Sequence, residues 1–242
     1  MRAILLAAGT GSRLGARTLE LPKPALAVAG SPLLDYDIRF ARAAGASSIV
    51  VVTGYRHEVT EKIARAFGAD EILVNPRYAD AGNLQTLNTA RRAGLCDQEF
   101  LIMNADHIYR PSIAAVVARV AAEAGPITAF IDKDRTLGAD DMKVRLDDEG
   151  HVVAIGKQLD SWDGGYVGLT FVPRARIAEY FGHADNVQLE RGEAIHVEAV
   201  LGRMVGVAPA ASVDISGHGW LEIDDEADLL RAEEVLAREK WY

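Results

Sequence analysis

Apolar residues fall along this chain in short blocks, each stopped by glycine, proline or a polar group. Ala3–Ala8 is an unbroken apolar block ending at Gly9, the pattern of a strand covered on both faces. Ser48–Thr53 repeats it, Ile72–Asn75 is a shorter version halted by Pro76, and Phe100–Met103 runs into Asn104-Ala105-Asp106. Helical spacing fills the intervals: Pro32–Ala44 ending at Gly45, His57–Phe67 with Val59, Ile63 and Phe67 four apart, and Asn83–Ala93. Strands alternating with helices predict parallel pairing through right-handed crossovers. After Pro111 the rhythm changes. Ile113–Ala124 reads as an alanine-rich helix, and Ile127–Asp132, Lys143–Leu146, Val152–Ile155 and Tyr166–Val172 as strands. Asp147-Asp148-Glu149-Gly150 reads as a hairpin turn. Arg174–Tyr180 and His196–Met204 read as helices, and Val213–Ile215 and Trp220–Ile223 as a pair closing around Ser216-Gly217-His218-Gly219. Asp225 is placed to cap a last helix running to Arg238.

The expected fold class is therefore α/β: a Rossmann-like, mixed but mainly parallel sheet between two layers of helices. No repeat, low-complexity tract or Pro/Gly/Ser linker divides the chain, which predicts one domain over 1–242. In such sheets ligands gather at the carboxyl ends of the strands, where Gly9 and Asp106 both fall.

Composition narrows the partners. The chain has 242 residues and a formal net charge of −9, which argues against nucleic acid or an anionic membrane as a partner. Cys96 is the single cysteine, so no internal disulfide forms. No apolar run approaches the length of a membrane span, and the first apolar block is broken too early by glycine and arginine to serve as a signal core. A cytoplasmic protein is expected.

The chemistry concentrates in Leu6-Ala7-Ala8-Gly9-Thr10-Gly11-Ser12-Arg13-Leu14, followed by Leu21-Pro22-Lys23-Pro24. A glycine loop after a buried strand offers close backbone approach and N–H groups to phosphate oxygens, and Arg13 and Lys23 add fixed cations. A dinucleotide fingerprint needs a third glycine where this chain has Leu14, and a Walker loop needs a lysine that does not follow Gly15. Asp106, at a strand end, suits a magnesium ion, which takes oxygen ligands. Glu222 and Asp224 are two apart, so in a strand both face one side and can reach the same ion. Asp224 could instead cap the last helix, a task Asp225 can also perform.

These motifs resemble the nucleotidyltransferases that join a nucleoside triphosphate to a sugar phosphate or alcohol phosphate, over nearly the whole chain. The resemblance implies a nucleotide-binding half (1–110) and an acceptor-binding half (111–242). It implies Mg2+ on Asp106 and Asp224, with Glu222 as a ligand or acting through water. Asp106-His107-Ile108-Tyr109, Asp141-Met142-Lys143-Val144, Ile155-Gly156-Lys157, Ser161-Trp162-Asp163, Gly168 and Trp220-x-Glu222-x-Asp224 are similar to inositol-1-phosphate cytidylyltransferases. Asn75-Pro76-x-Tyr78 and Asn83 are similar to choline-phosphate and aminoethylphosphonate cytidylyltransferases. Two departures leave the acceptor open: Asp132-Lys133-Asp134 where the inositol branch has Asp-Arg-Glu, and Gly165-Tyr166-Val167-Gly168 where it has Asp-Thr-Gly.

The implied reaction is attack of an acceptor phosphate on the α-phosphorus, with CTP the expected donor and a phosphorylated small molecule the acceptor. Arg13 would meet the β- and γ-phosphates, Lys23 the α-phosphate, and the Gly9–Ser12 backbone the remaining oxygens. Leu6, Ala7 and Ala8 would border the nucleotide, with Ala8 and the Asn83 loop at the base. Asn83 is equally placed to cap the helix after it. Lys143, Lys157 and Gly168 are acceptor-side candidates, the two lysines having solvated surface positions as the alternative. His107 is expected to act structurally, because a phosphate monoester is already largely ionised at neutral pH. UTP or GTP as donor, a non-catalytic nucleotide-binding module and a homodimer all remain open at this level.

Overall fold

The computed structural model describes residues 1–242. β1 (Arg2–Ala7) is followed by the short hairpin of β2 (Ala27–Val28) and β3 (Ser31–Pro32), then α1 (Leu33–Ala43). Next come β4 (Ser48–Thr53), α2 (His57–Ala66), β5 (Glu71–Val74), α3 (Asn83–Arg92), β6 (Phe100–Asn104), β7 (His107–Tyr109) and α4 (Pro111–Glu123). The second half adds β8 (Thr128–Asp132), β9 (Lys143–Leu146), β10 (Val152–Gly156), β11 (Gly164–Val172), α5 (Ile177–Arg191), α6 (Glu198–Met204), β12 (Ala211–Asp214), β13 (Trp220–Glu222) and α7 (Glu226–Glu239).

A nine-stranded sheet runs through both halves, ordered β10-β9-β11-β6-β1-β4-β5, with β8 on β11 and β12 on β8. β1, β4, β5 and β6 pair in parallel, whereas β11 is antiparallel to β6, β8 and β9. Only β10 and β11 run against the rest, so the sheet is mixed and mainly parallel. The two-residue period of a strand divides its core. Ala3, Leu5 and Ala7 of β1 join Ile49, Val51, Leu101 and Met103 under α1, α2 and α4. Ile4 and Leu6 join Val50, Val52, Phe100 and Ile102 under α3, α5 and α6. A third cluster collects Leu14, Leu26, Val28, Leu33, Leu221, Ile223, Leu229 and Leu236. No helix is long and apolar enough to cross a membrane. Cys96 is buried, and burial pushes its thiol up to about 12, so it sits inert in the core.

Three expectations are corrected. The segment around 213–215 does not pair with Trp220–Ile223: β12 runs parallel to β8, and β13 pairs antiparallel with β7, a strand too short to show a pattern. The glycine-containing corner instead carries the chain from the main sheet to this small second one, held by Ser216, whose backbone N–H and hydroxyl both donate to Asp214 Oδ1. The helix expected to end at Tyr180 continues to Arg191, because Tyr180, Ala184 and Val187 keep one face buried across Gly182. Asn83 does not cap α3. Gly82 holds that position, and the backbone N–H groups of Gly82 and Leu84 donate to the carbonyls of Glu193 and Ile195. Asp225 does cap α7, in a reciprocal box with Asp228.

That docking of residues 193–195 on the start of α3 requires glycine, since a Cβ at Gly82 would overlap the Ile195 carbonyl. Gly82→Ala is expected to cost about 3 kcal/mol through this steric strain. Urea melts showing an unchanged midpoint would refute the docking.

Asp37 on α1 is fully buried, and neither carboxylate oxygen has a hydrogen-bond partner. Burial, then the neighbouring charge of Asp106, pushes its carboxyl well above the usual range, against the pull of Lys23. An acid whose folded pKa is raised favours folding only while protonated, so its contribution declines as pH rises through and beyond its unfolded value. Asp37→Asn is therefore expected to raise Tm by a few degrees at about pH 8, with the gain fading toward about pH 4. A gain that grows on acidification would contradict the assignment.

Candidate active site

The site is built where the sheet's carboxyl edge meets the third apolar cluster. β1 delivers the chain into the Gly9–Arg13 loop. Gly11 adopts a left-handed φ of 65°, and a Cβ there would come within 2.9 Å of Lys23 Cβ, so the loop and the Pro22-Lys23-Pro24 segment lie against each other. The residue that excluded the dinucleotide reading, Leu14, is a plug: it is 4% exposed and shares the third cluster with Leu221 and Ile223. Those two flank Glu222, so one apolar cluster fixes the phosphate-type loop and the late carboxylates relative to each other.

β7 explains how Asp106 and the late acids meet. Its pairing with β13 sets His107 opposite Glu222, and the Ile223 N–H donates to the Asp106 carbonyl at 2.9 Å. Asp106, Glu222 and Asp224 each bring a carboxylate oxygen within 4.8 Å of the others. The α7 cap leaves Asp224's side chain free, because Asp228 accepts the backbone N–H groups of Asp224 and Asp225. Lys23 Nζ donates to Asp106 Oδ2 at 3.1 Å and to Asp224 Oδ1 at 2.9 Å, and Arg13 lies 3.1 Å from Asp224 Oδ2.

The electrostatics follow from this crowding. Burial works against a charge on Asp106, but the Lys23 ammonium and the His107 imidazole outweigh it and hold the carboxyl far below the usual range. Burial opposes charge on Lys23 and His107 too, yet Asp106, with Asp224 beside Lys23, keeps both above their ordinary values. Glu222 is raised by burial and by the neighbouring acids. His107 stacks between Tyr109 and Trp220, at centroid distances of 5.5 and 5.1 Å. Its Nδ1 lies 2.6 Å from Asp106 Oδ1, a close contact that pairs the ring with the carboxylate. Gly168, with φ 74°, makes room for this ring, since a Cβ there would be 3.0 Å from His107 Cε1.

These groups open on a cleft of about 420 Å³. Leu6, Gly9, Thr10, Gly11, Ser12, Arg13, Lys23, Asn83, Asp106, Lys157, Gly168, Glu222 and Asp224 all line it. Ala7 and Ala8 do not: Ala7 packs in the core, and Ala8's carbonyl accepts the Tyr55 N–H. Lys143 does not either. Its buried ammonium donates to the carbonyls of Gly138 and Lys157, at 2.6 and 2.9 Å, so it clasps the loop before β9. Asn83 faces the cleft with its carbonyl committed to the Val197 N–H at 2.8 Å.

Of the other lining groups, Glu198 belongs to no motif read in the sequence, whereas Tyr166 lies in the Gly165–Gly168 departure. Asn104 donates to Glu198 at 3.4 Å, and Tyr166 and His196 complete that wall. Arg135 lines the neighbouring hollow, which shares Glu222 with this cleft; it is stacked 4.0 Å over Trp220 and lies within 3.6 Å of Glu222. Only its position after Asp132-Lys133-Asp134 hinted at it.

A strand-end carboxylate, two late acids, Arg13 of the glycine loop and Lys23 of the segment packed against it thus meet at the carboxyl edge of an α/β sheet. Residues 3–176 match the family described as MobA-like NTP transferase domain, and the chain belongs to that family. It is 30% identical to the bifunctional IPC transferase and DIPP synthase of Rubrobacter xylanophilus, over 97% of this chain and 51% of that protein. It is 25% identical to the CTP:phosphoglutamine cytidylyltransferase of Campylobacter jejuni, over 95% of this chain and 98% of that one. The first of these shows that the chain spans about half the length of some curated relatives. The solved inositol-1-phosphate CTP transferase from T. maritima superposes with a TM-score of 0.80 at 22% identity, over 98% of this chain and 95% of that one, which shows the fold.

Proposed function

We propose that the cleft transfers a nucleotidyl group, with CTP the favoured donor and Mg2+ the cofactor, to a phosphorylated alcohol of the inositol 1-phosphate type. The observation that carries this is the apposition of Lys23 and Arg13 to the Asp106, Glu222 and Asp224 carboxylates. Three carboxylates with oxygens within 4.8 Å of one another make an all-oxygen donor set, which suits Mg2+. When bound, Mg2+ would supply charge neutralisation for the phosphate oxygens. Relatives whose names specify CTP or CMP transfer support the choice of donor.

An acceptor phosphate oxygen forms the new bond to the α-phosphorus, the bond from that phosphorus to the β-phosphate oxygen breaks, and pyrophosphate leaves with the electron pair. The chain's task is positioning and charge stabilisation, as in phosphoryl transfers generally. Lys23 meets the α-phosphate, Arg13 the leaving pyrophosphate, and the N–H groups of Gly9–Ser12 the oxygens between. His107 orients Asp106 from below. On the acceptor side Lys157 offers a cation, and Asp141 and Glu198 offer acceptors for hydroxyl groups. No general base is required, since the attacking phosphate is already anionic.

Pyrophosphate release from CTP, UTP, GTP and ATP, each with a panel of alcohol phosphates and Mg2+, tests this reading. Release with CTP and one acceptor is expected. Triphosphate binding with no release for any pair would make the chain a nucleotide-binding module instead.

A further inference from the structure

The cations assigned to the triphosphate rest, in this structure, on the carboxylates assigned to the metal. Lys23 Nζ bridges Asp106 and Asp224 at 3.1 and 2.9 Å, and Arg13 lies 3.1 Å from the second oxygen of Asp224. Lys23 is 9% exposed and anchored between Pro22 and Pro24, so this is a built position. Arg13 is mostly exposed and holds its place more loosely.

We infer that Lys23 is the site's resident cation. It neutralises the acidic cluster while no nucleotide is present and keeps a free divalent ion out, so that metal and triphosphate enter together. The inference rests on the metal reading above. A divalent ion coordinates carboxylate oxygens at about 2.0–2.1 Å, which places it close to an ammonium bound to the same two groups. Two such cations repel each other strongly in a partly buried cleft. Lys23 therefore has to leave Asp106 and Asp224 before those oxygens turn to the ion. The incoming α-phosphate offers the ammonium an equivalent anionic partner a short distance away, and Arg13 can exchange Asp224 for the β- and γ-phosphates in the same way. Lys23 trades its two carboxylates, and Arg13 its one, for phosphate oxygens, and no group is left buried and unpaired, the state that costs most. Metal affinity and triphosphate affinity are consequently coupled, and reciprocally so.

The test is Mn2+ binding to the purified full chain, followed by electron paramagnetic resonance without nucleotide. Two variants are used. Lys23→Met removes the donor and the charge. Lys23→Gln keeps a hydrogen-bond donor between the carboxylates and guards against a variant that fails to fold, which circular dichroism checks. Wild type is expected to bind Mn2+ weakly alone and tightly with CTP present. Both variants are expected to bind Mn2+ alone at least about tenfold more tightly than wild type, because the competing charge is gone. Equal Mn2+ affinity in wild type and Lys23→Gln would overturn the inference and leave the transfer reading intact, since that is judged by pyrophosphate release. Failure of every protein to bind Mn2+, with CTP or without, would overturn the metal reading and this inference with it.

Discussion

Lys23→Ala is expected to lower the rate of pyrophosphate release by about a hundredfold or more, the usual cost of removing one preorganised donor from a charge-stabilising site. Lys23 is the one cation held deep in the cleft by its own backbone, with prolines on both sides and Gly11 packed against its Cβ. Arg13 cannot replace it, being half exposed and reaching only Asp224. KM for the triphosphate is expected to move less than kcat, because the α-phosphate gains charge mainly in the transition state. Without nucleotide the variant also leaves Asp106 and Asp224 without their bridging cation, so its Tm is expected to fall and to recover on addition of Mg2+. Near wild-type release from a folded variant would remove Lys23 from the reaction.

Asp106→Asn is the second large effect. The substitution keeps the shape of the side chain and removes the charge shared by Lys23, His107 and the proposed ion. A fall of roughly a hundred- to a thousandfold in kcat is expected, the range seen when a preorganised electrostatic partner is lost. The fold should hold, because β7 is tied to β13 through the backbone, including the Asp106 carbonyl. The Asp225→Ala control separates the late acids: it should cost about 1 kcal/mol as a lost helix cap and leave transfer unchanged, whereas Asp224→Asn should lose transfer with little loss of stability. Reversed outcomes for the two neighbours would mean that their roles are exchanged.

The contrast between those neighbours shows how far local sequence reaches. The glycine loop, the buried strand before it and Asp106 at a strand end were legible because each is a short-range pattern with a physical cause. β4 and β9 begin and end where their apolar and polar residues predict. The pairing of β13 with β7 was not legible. Both are three residues long, and their partnership spans more than a hundred residues, so no periodicity announces it. Ser216-Gly217-His218-Gly219 has residue types that suit a hairpin turn, yet β12 pairs in parallel with β8. Lys143 shows the complementary limit. A lysine near a strand end reads as a surface cation or a phosphate ligand, and only the fold places Gly138 and Lys157 carbonyls within its reach. His107 sits 2.6 Å from Asp106 Oδ1, a neighbour that chain order alone makes plain.

If the proposed function holds, this cleft directs attack to the α-phosphorus of a nucleoside triphosphate. Phosphorus-31 NMR of the wild-type chain with CTP, Mg2+ and the acceptor chosen by the panel tests it most directly. Stoichiometric pyrophosphate is expected, together with the paired resonances of a new diphosphate diester. CDP with inorganic phosphate would place the attack at the γ-phosphorus and contradict it, as would CTP left unchanged with every acceptor.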